Sequence, residues 1–140
     1  MARGFRELEG ITADVGLEAW GPTVEESLIQ AGNGLASLIS AIETLTEDIS
    51  VEIEITAHDL PGLFVNFLNE IIFLAETSNF LPLRIVSLHI DGTALSARMK
   101  GCRYRPGIHT RNLCIKAATY HGLAIEETDG KVTVRVIFDV

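Results

Sequence analysis

Apolar residues recur along this chain either at every second position or at every third and fourth, and the switches between the two rhythms mark out strands and helices. Val51-Glu52-Ile53-Glu54-Ile55 alternates without a break, which predicts a strand with one buried and one solvated face. Residues 10–20 alternate more loosely, with Val15, Leu17 and Ala19 on one side, behind a shorter strand over residues 5–9. Pro22 ends that segment, Thr23 is placed to cap the next amides, and Glu26 to reach back to the cap. Leu28, Ala31, Leu35, Leu38 and Ile42 then follow at helical spacing. Gly32 and Gly34 interrupt this helix at roughly 1 kcal/mol each against alanine, so a neighbour is expected to approach closely there. A second helix, capped by Asp59, carries Leu60, Leu63, Phe64, Phe67, Leu68, Ile71 and Phe73 to Ala75 on a broad apolar surface that reads as core.

The rest of the chain is strand-like over residues 83–90, 94–102, 113–120, 123–127 and 131–138. Asp91-Gly92 and Asp129-Gly130 signal hairpin turns, and Arg105-Pro106-Gly107 a longer loop. The pattern predicts an α+β fold in two layers, with two helices packed on one face of a largely antiparallel sheet. No repeat or linker divides the chain, so residues 1–140 are expected to form one domain.

Composition narrows the function. The net charge is −8 with a pI near 4.9, whereas surfaces that coat nucleic acid concentrate Lys and Arg. The basic residues gather instead in one stretch, Arg98, Lys100, Arg103, Arg105, Arg111 and Lys116, which solvated strand faces would also produce. No window approaches the roughly 20 apolar residues of a bilayer span, and the first residues lack the apolar centre of a signal peptide. A cytoplasmic protein without membrane contact is the expectation. Cys102 and Cys114 flank the Pro-Gly loop and could face each other in a disulfide. In a reducing compartment they read rather as small buried apolar residues.

The candidate chemistry lies at strand ends. Ile11-Thr12-Ala13-Asp14-Val15 and Phe138-Asp139-Val140 each set an aspartate at the edge of an apolar segment. Asp14, Asp139 and a terminal oxygen of Val140 would make an oxygen-only site for a hard divalent cation; the plainer alternative is that the aspartates cap strand ends. Lys116 stands among Ile115, Ala117 and Ala118, where a lysine either snorkels to solvent or serves as a point charge for a phosphate or carboxylate. His109 and His121 bracket that segment as further candidates. There is no Walker-type phosphate cradle, dinucleotide fingerprint or nucleophile elbow.

These segments together resemble the archease family, small proteins that assist the RNA ligase of tRNA splicing. The resemblance rests on Thr12-Ala13-Asp14 with Gly16, Ala19 and Gly21, on Thr23-Val24-Glu25-Glu26, and on Phe67-Leu68-Asn69-Glu70. It continues through Gly101, His109, Lys116-Ala117, Thr119-Tyr120-His121 and Phe138-Asp139-Val140. In one departure, Ile11 stands where the family usually has histidine.

The resemblance implies an accessory protein rather than an enzyme. Its partner would be a GTP-dependent ligase joining 2′,3′-cyclic phosphate or 3′-phosphate ends to 5′-hydroxyl ends, which it helps to become guanylylated and to turn over repeatedly. RNA would be reached only through the ligase. The resemblance also implies metal binding at Asp14 and Asp139, with Ca²⁺ the first choice and Mg²⁺ or Mn²⁺ the alternatives, and a functional role for Lys116. A stand-alone metal-dependent phosphoesterase, with His109 or His121 as acid or base, and a chaperone-like binding module are the rival readings. The sequence sets no oligomeric state.

Overall fold

The computed structural model describes residues 2–11 and 14–140; Thr12 and Ala13 of the first motif lie outside the described residues. The element order is β1 (Gly4–Leu8), β2 (Val15–Gly21), α1 (Val24–Ile39), a short 3₁₀ turn (Ile42–Thr44), β3 (Ile49–Thr56), α2 (Leu60–Thr77), β4 (Phe80–Asp91), β5 (Ala94–Arg103), β6 (Ala117–Thr128) and β7 (Lys131–Asp139). This is the expected α+β class with two helices, its sheet layer divided in two. One antiparallel sheet runs β1-β2-β7-β6 and the other β3-β5-β4.

The division follows from the breadth of the helices' apolar surfaces. Half of α2 is buried, including Leu63, Phe64, Val65, Phe67, Leu68, Ile71, Ile72 and Ala75, whereas Phe73, expected on the core surface, faces away from it and is 56% exposed. Each helix therefore touches both sheets: α1 packs on β2 and β4, and α2 on β6, β3 and β4. Leu17, Val134, Val136 and Phe138 from the first sheet meet Ile53, Leu95 and Met99 from the second in one buried cluster around the helices. By length and composition α2 is apolar enough to cross a membrane, contrary to the expectation of no such window. In this fold, however, it forms the centre of the core.

The helix starts follow the expected chemistry in part. Thr23 accepts a hydrogen bond from the Glu26 amide at 3.1 Å, and Asp59 from the Gly62 amide at 2.8 Å. The Glu26 side chain pairs with Arg3 at 2.9 Å instead of returning to the cap. Helix α1 ends at Ile39, so Ile42 belongs to the 3₁₀ turn. The two glycines do serve close approach: a Cβ at Gly32 would lie 2.6 Å from Ile85 Cγ1, and one at Gly34 would lie 2.7 Å from Leu17 Cδ2.

Two strand predictions need correction. Residues 113–116 are not in a strand; β6 starts at Ala117 and runs through the segment expected to be separate. The Asn112 and Leu113 amides donate to Ile39 and Leu38 carbonyls at 2.8 and 3.2 Å, so this stretch closes the C-terminal end of α1. Within β6 the register breaks between Thr119 and Ala124, around Gly122 with φ +68. The cysteines are also split. Both are free thiols, Cys102 buried and Cys114 exposed, so the expectation of two buried residues holds for only one.

Candidate functional site

The pairing of β2 with β7 brings the two aspartate motifs together. Val15 lies opposite Phe138 as the last pair of the register, and Asp14 and Asp139 are the next residue along each chain segment at this end of the sheet. On the other side of β7, Ala117 lies opposite Asp139, and the Lys116 amide donates to the Asp139 carbonyl at 2.9 Å. Asp14, Asp139, Val140 and Lys116 therefore converge on one end of the first sheet. Asp139 and Lys116 are exposed, Asp14 is half-buried, and Val140 is 40% exposed.

Among the described residues, neither aspartate enters an ion pair; the paired acids are Glu18, Glu26, Glu47 and Glu52. Carboxylates gathered at one sheet end without an internal partner repel one another and favour a cation between them. The donors available are carboxylate and main-chain oxygens, the set that hard divalent ions take, with water completing the shell. Among the described residues no group of three or more His, Cys, Asp or Glu side chains gathers as a metal cluster, so the histidines do not add to this donor set.

His109 sits in the loop after β5. Its Nδ1 accepts from the Arg105 amide at 2.9 Å, which puts the proton of the neutral ring on Nε2, 3.8 Å from Cys102 Sγ. His121 is exposed in the body of β6, five positions beyond Lys116 and so roughly 15 Å along the chain. Lys116 lies just before β6, not inside a strand, because residues 112–115 are held by the end of α1.

Sequence reasoning missed the residue that fixes this end. Asn69 of α2 accepts from the Ala118 amide at 2.8 Å through Oδ1, and its Nδ2 lies 3.5 Å from the Ala118 carbonyl. It thereby occupies the outer edge of β6 two residues after Lys116. The available signal was a lone amide within the apolar run Phe67-Leu68-Asn69, a place where a polar group needs a partner.

Further along the same sheet, buried Glu18 of β2 lies between Arg6 of β1 and Arg135 of β7, at 3.0 and 2.6 Å. Burial alone would push the Glu18 pKa up. The hydrogen bonds and charges of Arg135 and Arg6 outweigh it and hold the carboxyl below its ordinary value.

The sequence matches the Archease protein family (MTH1598/TM1083) over residues 5–140. The chain belongs to the archease family. It is 34% identical over 128 residues to the archease of Thermoplasma acidophilum, covering 91% of this chain and 88% of that protein. With the archease of Danio rerio it shares 30% identity over 132 residues, 92% of this chain and 81% of the fish protein. Among solved structures it is similar to protein 1598 of Methanobacterium thermoautotrophicum, with a TM-score of 0.78 at 25% identity and coverage of 98% and 99%. It is also similar to the Thermotoga maritima archease, described as a possible chaperone, with a TM-score of 0.66 at 26% identity and coverage of 96% and 97%. This agrees with the expected family and α+β class. The relatives are described as archeases or a possible chaperone, none as a catalyst.

Proposed function

We propose that this archease is a metal-binding activator of the GTP-dependent tRNA-splicing RNA ligase, promoting ligase guanylylation and multiple turnover. The observation that carries this reading is the convergence of Asp14, Asp139, Val140 and Lys116 on one open sheet end. The all-oxygen donor set suits Ca²⁺, with Mg²⁺ or Mn²⁺ as alternatives, and an ion bound there would lend positive charge to nucleotide phosphates. The chain's own part is positional. Asp14 and Asp139 present carboxylates from adjacent strands, and main-chain oxygen of Val140 extends the donor set. Lys116 offers three donors to an anionic group from the position just before β6. His109, hydrogen-bonded within its loop, and exposed His121 of β6 are the further residues this reading assigns to contact with the ligase.

The ligase performs the chemistry, and RNA is reached through it, as the net charge of −8 favours. A cytoplasmic location belongs to the same reading. Multiple-turnover ligation with and without this protein, at fixed ligase, GTP and divalent metal, tests it. Stimulation is expected, with Lys116→Ala and Asp139→Ala losing it while melting as wild type does within about 1 kcal/mol. Turnover of a phosphoester by the isolated protein would support the phosphoesterase instead. Metal-independent affinity for unfolded chains without stimulation would support the chaperone-like module.

A further inference from the structure

A small apolar socket lies beside the Lys116 end of the fold. It has a volume of about 230 Å³ and is walled by Ile39 at the end of α1, Ile72 and Ala75 of α2, and Leu113, Cys114 and Ile115 of the connecting segment. The next residue is Lys116, whose amide is bonded to Asp139. The socket's last wall residue is thus one position along the chain from the segment bonded to Asp139. Its size is below the usual 300–1,000 Å³ of small-molecule sites, enough for one large apolar side chain but not a nucleotide.

Two further observations point to a protein occupant. Leu113, which lines the socket, and Val140, next to Asp139 at the sheet end, are among the few large apolar side chains left exposed. Apolar surface concentrated beside a polar site marks a place that another protein covers. Around the mouth, Arg111 lines the socket and Lys116 follows it. Arg111 lies 4.2 Å from the Tyr104 ring centroid and has no carboxylate partner among the described residues. In a chain of net charge −8, two cations at this edge favour a surface bearing carboxylates, while Glu76 on the opposite wall restricts the negative charge to that side.

We infer that the socket receives a leucine- or phenylalanine-sized side chain, flanked by carboxylates, from the surface of the ligase next to its active site. The inference rests on the ligase reading and adds the anchor that seats the aspartate end. The anchor fixes position before any phosphate is engaged, as a central apolar contact does in other protein interfaces.

The two thiols make the test selective, because Cys114 is exposed at the socket whereas Cys102 is 1% exposed. Alkylating the folded protein with a benzyl maleimide should fill the socket. The concentration giving half-maximal stimulation of the cognate ligase should rise roughly tenfold or more, the loss expected from removing one buried anchor. Calcium binding by calorimetry should be unchanged. In the Cys114→Ser protein the reagent should cause no change relative to the same variant untreated, and Leu113→Asp should reproduce the weakening without reagent. Unchanged half-saturation for both the alkylated and Leu113→Asp proteins, with the untreated protein active, would overturn the socket while leaving the ligase reading in place. No binding to the ligase by the untreated protein would overturn both.

Discussion

Replacing Asn69 by alanine tests whether one amide holds the start of β6 against α2. The change removes a 2.8 Å hydrogen bond to the Ala118 amide and a marginal 3.5 Å contact to its carbonyl. Leaving a buried donor without its partner costs about 1–3 kcal/mol, and this pair is only part-buried, so the lower half applies. Alanine returns up to about 0.7 kcal/mol of helix propensity. The net loss is about 1 kcal/mol, or roughly 4 °C in melting temperature for a chain of this size.

Asn66→Ala is the control. It gains the same propensity but loses only an exposed bond from its Nδ2 to the Thr56 carbonyl at 3.0 Å, so its melting temperature should stay near wild type. The assay is thermal unfolding of both variants beside native-state hydrogen exchange, in which the Ala118 amide should lose protection in Asn69→Ala alone. An Asn69→Ala protein that melts at or above wild type with Ala118 still protected would refute the clamp.

Removing Val140 should weaken divalent-metal binding in calorimetry, and full-strength binding by the shortened chain would remove its oxygen from the donor set. For Glu18, whose folded pKa is depressed, the stabilisation is present above the ordinary value of 4.5 and lost as pH falls through the lower folded value. The stability difference between wild type and Glu18→Gln in urea unfolding should therefore be largest near neutrality and shrink below about pH 4.5, and a pH-independent difference would exclude the ion triad. Gly32→Ala sets a propensity gain of about 1 kcal/mol against a Cβ placed 2.6 Å from Ile85 Cγ1; overpacking costs about 1–3 kcal/mol, so a net destabilisation in thermal melts is expected.

The elements with a strong internal rhythm were legible in the sequence. Val51 to Ile55, the Thr23 and Asp59 caps, and the Asp129-Gly130 turn depend on neighbours within a few residues, and φ of 52 and 75 at that turn matches its glycine chemistry. The placing of both aspartate motifs at one end of the first sheet follows from β2 pairing with β7, which no local pattern states. The partition into two sheets and the clamp from Asn69 to Ala118 depend on tertiary packing between residues 49 positions apart. Leu113 and Ile115 alternate like a strand, yet Ile115 is buried in the core, Leu113 is exposed and the Leu113 amide bonds the end of α1, and alternation alone does not distinguish these uses. His109 was visible as a residue type, but its bond to the Arg105 amide arises from a turn in the loop.

The strand order also governs when the candidate site can come into being. The second sheet and α2 use one continuous stretch, from Ile49 to Arg103, whereas β2 must wait for β7, the last strand in chain order. On a ribosome the β1-β2 hairpin would emerge first and keep the β7-facing edge of β2 unpaired through most of synthesis. Lys116 gains its backbone partner, Asp139, only once β7 has been made. This sheet end is therefore assembled only after β7 has paired with β2, and a nascent chain stalled before β7 carries one half of it.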